Sequence, residues 1–335
     1  MLYWKKLVNN NYISQSIFFC AFLAFFLSSC GKELEIEIEI PANNPKLVVN
    51  STLVPYSLPG GKYLGIELGS STSIFDTVTH NSIIDASVLL FKNNDFKDTL
   101  QYNPDNGLYS FGYGPFEGPS IGDKYTIEVF AEGYEQVWAE TKIPEKVEII
   151  EANIIPVAFI NDHGGVWSEV VLTFDDPGNI NNYYEIVVVS DISDYLYDPK
   201  KFSPLFSHES FITGESYYPS PLRFDLKEPK HLLFNDNSFN GEDVTLSFYY
   251  YPPQFMTAKR FVSHHIVSVQ LRNITEEYYL FKTSFLQSLY NQKEDILYGM
   301  GEPLNVFSNI ENGYGIFAGF NESIVQILIP ETIVD

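Results

Sequence analysis

From Pro45 to about Ile143 the chain is a series of short segments in which apolar residues recur at every second position. That spacing places alternate side chains on opposite faces of an extended strand. Lys46 to Val54, Tyr63 to Leu68, Ala86 to Phe91, Leu108 to Phe111, Tyr125 to Phe130 and Gln136 to Ile143 carry the pattern. Turn-forming residues stand between them: Pro59-Gly60-Gly61, Asn93-Asn94-Asp95, Pro104-Asp105-Asn106-Gly107 and Gly122-Asp123. Six or seven strands in about 100 residues predict a Greek-key sandwich.

The period-two pattern resumes after Pro144, over Val147 to Ile155 and Val166 to Phe174, and Tyr183 to Ser190 is an almost unbroken apolar run. Asp191 to Lys230 is irregular and rich in Pro, Ser and aromatic residues, and strands return at Val244 to Tyr251 and His265 to Leu271. One stretch changes period. Tyr278, Phe281, Phe285 and Leu289 form a helical stripe, with Thr275 placed to cap it, Glu276 and Glu277 at its positive end, and Asn291 as its stop. Two short strands, Tyr314 to Phe320 and Ile324 to Ile329, are expected to close the second half. The fold class this predicts is all-β: two tandem β-sandwich domains over 45–143 and 144–335, the second fibronectin-like with one inserted α-helix near 275–291.

The first 29 residues read differently. Lys5 and Lys6 precede an apolar run from Ile17 to Leu27, which is too short to span a bilayer and suits a signal peptide. Leu27-Ser28-Ser29-Cys30 resembles the lipobox of bacterial lipoproteins, in which the cysteine thiol receives a diacylglyceryl group. Residues 30–44 then form an acidic tether in which Glu alternates with Leu or Ile from Glu33 to Ile40. The expected location is the outer membrane, held by lipid at Cys30 and displayed at the cell surface.

The formal charge of the whole chain is −23, and the 29-residue leader holds two lysines and no acid, so the remaining 306 residues carry −25. So acidic a surface repels phosphate backbones and excludes nucleic acid as a partner. Cys20 falls inside the leader, which leaves Cys30 as the one thiol after cleavage and no internal disulfide.

Several segments together resemble one family, the Bacteroidota lipoproteins grouped as domain of unknown function 4249. They are Pro45-Lys46-Leu47-Val48-Val49-Asn50, Ile121-Gly122-Asp123-Lys124-Tyr125-Thr126, Phe174-Asp175-Asp176-Pro177, Asn182-Tyr183-Tyr184 and, most specific, Ser308 to Phe317. The first sandwich is also similar to immunoglobulin-like or carboxypeptidase-regulatory modules, through Asp85 to Leu90 and the Gly-Leu-Tyr-Ser strand that follows. The family resemblance implies a two-domain β protein of the outer membrane, often encoded beside a TonB-dependent receptor, with no assigned chemistry. Asn309 to Gly315 is expected to be a tight turn before a core strand.

Candidate chemistry is sparse. Gly118-Pro119-Ser120-Ile121-Gly122 matches the G-x-S-x-G pattern, but a nucleophile elbow needs a strand before the serine and a helix after it, and here a strand follows. The six histidines show no zinc spacing, and adjacent His264 and His265 would face opposite ways on a strand. Asp175, Asp176 and Asn179, with Asp162 nearby, could offer oxygens to Ca²⁺, or could form a local Asp-Pro-Gly turn instead. Tyr195, Tyr197, Phe202, Phe206, Tyr217 and Tyr218, with Tyr249 to Tyr251 further on, are candidates for stacking on a ligand, or are filler for a loop folded onto its own sandwich.

No nucleophile–base pair emerges, so the expectation is a non-catalytic protein without cofactor. It is read as a binding or accessory component of a TonB-dependent uptake system, with a structural or adhesive surface protein as the alternative.

Overall fold

The alternating segments become strands of an all-β fold in the computed structural model, which describes residues 44–55, 64–72, 82–111, 118–178, 180–191, 200–208, 230–256, 260–262, 264–298 and 305–334. The leader and Cys30 lie outside these residues. The first half holds β1 (Leu47–Leu53), β2 (Leu64–Ser70), β3 (Ser87–Lys92), β4 (Asp95–Asn103), β5 (Leu108–Ser110), β6 (Lys124–Phe130) and β7 (Val137–Lys142). The second holds β8 (Ile149–Ile160), β9 (Val166–Asp175), β10 (Tyr183–Asp191), β11 (Lys200–Phe202), β12 (Leu205–Phe206), β13 (His231–Asn235) and β14 (Asp243–Tyr250). After these come β15 (Gln254–Met256), β16 (Arg260–Val262), β17 (His265–Ile274), helix α1 (Glu276–Tyr298), β18 (Tyr314–Ile329) and β19 (Thr332–Val334).

Two large cores are sandwiched between layers, and a third, smaller cluster of Leu233, Ile274, Tyr278, Ile316 and Ala318 packs where α1 meets the sheet. In the first, Val49, Ile66, Leu90, Tyr109, Ile127 and Phe317 are buried together. In the second, Phe174, Tyr184, Ile186, Phe234, Leu246 and Phe248 meet between β10, β13 and β17 on one side and the four-stranded sheet β12-β14-β9-β8 on the other. Each fully buried aliphatic or phenyl group contributes about 1.5–3 kcal/mol, so cores of this size hold the fold without a disulfide.

The sheet path β11-β10-β17-β18-β1-β2-β5-β4-β3-β6-β7 runs through both halves, with β13 also on β10. The link is β18. Its first residues pair in parallel with β1, Val48 opposite Tyr314 through Leu53 opposite Gly319, and its remainder pairs antiparallel with β17. The two short closing strands expected from the sequence are thus one strand of 16 residues. Its passage between layers depends on glycine. A Cβ on Gly315, at φ +108°, would lie 2.0 Å from the Val49 carbonyl oxygen, and one on Gly319 would lie 2.1 Å from that of Lys142. The Asn309 side chain acts as a strand partner for Phe317, accepting its N–H at 2.9 Å and donating to its carbonyl at 2.7 Å.

Strand β4 escaped the sequence pattern because only Leu100 of its nine residues is buried. It turns the corner between layers, pairing with β3 through Leu100 and with β5 from Gln101. Helix α1 runs past Asn291 to Tyr298, since an isolated Asn costs a helix only a few tenths of a kcal/mol and helix formers follow it. Thr275 does sit at its N-terminus, where its carbonyl accepts the Tyr279 N–H at 3.1 Å. Its hydroxyl, however, is buried with no hydrogen-bond partner among the described residues, so the expected side-chain cap is not made. Tyr278 is buried as the stripe requires, whereas Phe285 is exposed.

Candidate functional site

Strands β8, β9, β12 and β14 turn one set of alternate residues into the second core and the other set outward. At one end of the outward face the residues are aromatic. Trp167 of β9 is only 5% exposed. It is ringed by Phe159 of β8, parallel to it at 6.1 Å, by Tyr251 at 5.3 Å and by Phe206 of β12 at 6.4 Å. Tyr249 of β14 stacks on Phe206 at 5.8 Å and meets Phe159 edge-on at 5.2 Å, and the exposed His208 stands edge-on to Phe206 at 4.5 Å.

Local sequence explains this arrangement. Strand alternation sends Tyr249 outward and Tyr250 into the core, where its hydroxyl lies 3.3 Å from His265 Nε2. The Asn161-Asp162-His163-Gly164-Gly165 hairpin is closed by Asn161, whose Oδ1 accepts the N–H of Gly165 at 2.7 Å. A Cβ on Gly165 would lie 2.8 Å from the Tyr251 ring, so glycine there makes room for the aromatic.

Moving along the strands away from the rings, the face becomes polar and then acidic. The cross-strand rows run Ile155–Glu169–Tyr249, Asn153–Val171–Ser247, Glu151–Thr173–Thr245 and finally Asp175–Asp243. Ser247 donates a hydrogen bond to Glu169, and the Thr173 and Thr245 hydroxyls are 3.0 Å apart. No described Lys or Arg forms an ion pair with Glu151, Glu169, Asp175 or Asp243. The chain contains no Lys or Arg from 147 to 199 or from 231 to 258.

A second cluster of charge lies on the opposite side of the molecule's second half, where α1 covers β10, β17 and β18. Glu185 is completely buried there. Arg272, directly opposite on β17, donates to Glu185 Oε2 at 2.8 Å, to Glu322 Oε2 at 3.0 Å and to Gln270 Oε1 at 2.9 Å. His231 Nδ1 is 2.8 Å from Glu185 Oε1, and because an ionised carboxylate only accepts, that nitrogen carries the proton. Lys282 of α1 stands 4.0 Å from the same oxygen. The Arg272 guanidinium also lies over the Phe320 ring at 4.7 Å. Burial by itself pushes the Glu185 carboxyl up. The hydrogen bond from His231 and the charges of Arg272, His231 and Lys282 outweigh that effect and hold it at about 2.

The residues singled out in the sequence are distributed over several places. Phe202 is 47% exposed on β11 and stacks on His231 at 5.9 Å, apart from the Trp167 cluster, while Phe206, Tyr249 and Tyr251 join that cluster. Tyr195, Tyr197, Tyr217, Tyr218 and Asn179 lie outside the described residues.

The structure does not bring Asp175 and Asp176 together: the first is exposed at the end of β9 and the second is buried. Asp176 accepts hydrogen bonds from the Tyr184 hydroxyl and, at 2.8 Å, from the Gly241 N–H, and burial pushes its carboxyl up. Those bonds tie the turn after β9 to β10 and to the turn before β14, so the carboxylate accepts a distant backbone N–H and not a local one. Among the described residues no three His, Cys, Asp or Glu side chains are grouped as metal ligands. Ser120 sits in the turn before β6, where its N–H donates to the Tyr125 hydroxyl and its Oγ accepts from Lys92 Nζ at 3.1 Å.

Glu185 and Arg272 were not among the residues the sequence singled out. A carboxylate inside the run Tyr183 to Ser190 was the available signal, since a buried acid requires a cation.

A family model described as a domain of unknown function, DUF4249, matches residues 33–324. No curated protein matches the sequence. A crystal structure described as that of a membrane anchored protein from Corynebacterium diphtheriae is 11% identical, over 70% of this chain and 55% of its own, with a TM-score of 0.18. The chain thus spans little more than half of that protein, and so slight a likeness carries no argument about either one.

Proposed function

The chain belongs to the DUF4249 family, and from that footing we propose that it is a lipid-anchored, non-catalytic protein of the bacterial outer surface that binds a partner through the outward face of its smaller sheet. The observation that carries this reading is the cluster around Trp167. Its Phe159, Phe206, Tyr249 and His208 rings stay wholly or partly accessible on a rigid sheet instead of turning into a core. Aromatic groups held in place by strands offer contact area at little entropic cost.

The anchor rests on Leu27-Ser28-Ser29-Cys30 and the charged, then apolar, leader before it. No helix among the described residues is long and apolar enough to cross a membrane, which is compatible with attachment through lipid. The reading as non-catalytic rests on the sequence, in which no nucleophile–base pair emerges; Ser120 holds the turn before β6 through Lys92, Tyr125 and Asp123. Within this reading the protein serves as an accessory of a TonB-dependent uptake system, as its family resemblance implies.

The test is made on intact cells. Protease should remove the wild-type protein from the cell exterior, and Cys30→Ser should release it from the membrane fraction. Extraction in mild detergent should bring a TonB-dependent receptor with it. Retention of the Cys30→Ser protein in the membrane contradicts the anchor, and a receptor-free preparation contradicts the uptake role.

A further inference from the structure

We propose that the outward face of the four-stranded sheet docks an extended polypeptide segment bearing Lys or Arg side chains, one cation seated against the rings around Trp167 and others along the acidic rows. This rests on reading that face as the binding surface and adds the chemistry of the partner.

Three features of the face converge on it. The first is charge. Glu151, Glu169, Asp175 and Asp243 all lie on strands free of Lys and Arg, and none is matched by a cation among the described residues. Asp175 and Asp243 face each other directly in the register of β9 and β14, a like-charge pair that is unfavourable in isolation and that an incoming cation relieves. The same chain pairs the buried Glu185 with Arg272, Lys282 and a hydrogen bond from His231, so this face is not acidic merely because the protein is.

The second feature is the ring geometry. Phe206 and Tyr249 are stacked at 29° beside Glu169, which places π faces and a carboxylate at the same end of the face. A cation over such a face gains about 0.5–1 kcal/mol when exposed and more when desolvated. The third is extent. Six strand positions separate Glu169 from Asp175, or roughly 20 Å at about 3.3 Å per residue, which matches an extended segment of about six residues. A single small cation would engage only one end. A neutral sugar would use the rings and leave the charge along the rest unanswered.

Calorimetric titration of the full chain in detergent tests the idea with three probes: the hexapeptide Leu-Lys-Phe-Lys-Leu-Lys, the same peptide with acetylated lysines, and cellohexaose. The lysine peptide should bind, weaken as salt is raised, and lose most of its affinity on acetylation. Glu169→Gln and Asp243→Asn should each weaken it about two- to fivefold, in line with exposed charge pairs. Tyr249→Ala should weaken it by about tenfold, as loss of an aromatic anchor does.

Affinity unchanged in both acid variants would mean that the peptide responds only to overall charge, and would overturn the proposal. Because both acids are at the surface, that arm does not depend on whether Tyr249→Ala folds. Binding of cellohexaose but not of the lysine peptide, abolished by Tyr249→Ala, would also overturn it while leaving the binding face intact. Binding of none of the probes would remove both readings.

Discussion

The second half of the molecule sets carboxylates beside aromatic rings on two faces, and it treats them in opposite ways. Under α1, Glu185 is sealed from water and meets Arg272, His231 and Lys282, with Phe320 against the guanidinium. On the outward face of the smaller sheet, Glu169 lies beside rings that keep part of their surface in water, and Asp175 and Asp243 lie at the far end of the same strands. None of the three is paired with a cation among the described residues. A charge that is buried must be paired to exist at all, so the first arrangement concerns stability and the orientation of the helix. A charge left unpaired at the surface costs little in the free protein and is available to something else. The contrast assigns structure to one face and recognition to the other.

The largest effect expected from testing that contrast is Arg272→Ala. It strands Glu185 in the interior, and breaking one partner of a buried pair costs about 3–5 kcal/mol. Urea denaturation reads this directly. A loss below about 1 kcal/mol would show that the buried cluster is not held as a paired unit, and the comparison would collapse from that side.

Acid sharpens the same comparison. Glu185 ionises at about 2 in the folded protein against an ordinary value of 4.5. A depressed folded value stabilises the protein above the ordinary one, and that stability is lost as pH falls from about 4.5 towards 2. The amount is on the order of 3 kcal/mol. Glu185→Gln should therefore be less stable than wild type at pH 6 and nearly equal to it near pH 2. A constant gap across that range would mean that charge is not what Glu185 contributes.

How much of this could be read from the sequence depends on the range of each interaction. Alternation is local, so β1, β6 and β7 stand within a residue or two of where the pattern puts them. Tyr249 to Tyr251 were marked together as aromatics, and only the alternation of β14 separates Tyr249, which faces outward, from Tyr250, which is buried in the core. Strand β4 was invisible because a corner strand buries so little. The continuity of β18 was hidden because residues 315–319 are buried on both sides, one set against each half, so no single face carries the apolar residues. The network around Glu185 is the extreme case. Its arginine is 87 positions away in sequence, and only the pairing of β10 with β17 brings the two together. A lone acid in an apolar run announces that a partner exists without saying which.

The smallest effect is the most discriminating. Asp243→Asn removes one of two acids that face each other across β14 and β9. Like charges in that position oppose folding by about 0.2–1 kcal/mol, so the variant should be more stable than wild type by a few tenths of a kcal/mol. Asp175→Asn should do the same, and the double variant should gain less than the sum, since either change relieves the same repulsion. Thermal unfolding at low salt resolves the differences, and added salt should shrink them. A structural surface has no reason to retain such a pair, whereas a recognition surface does. The expected signature is therefore a variant that gains stability while losing affinity for a cationic peptide. A loss of stability in Asp243→Asn would mean that the carboxylate already has a favourable role in the free protein, and the distinction between the two faces would lose its basis.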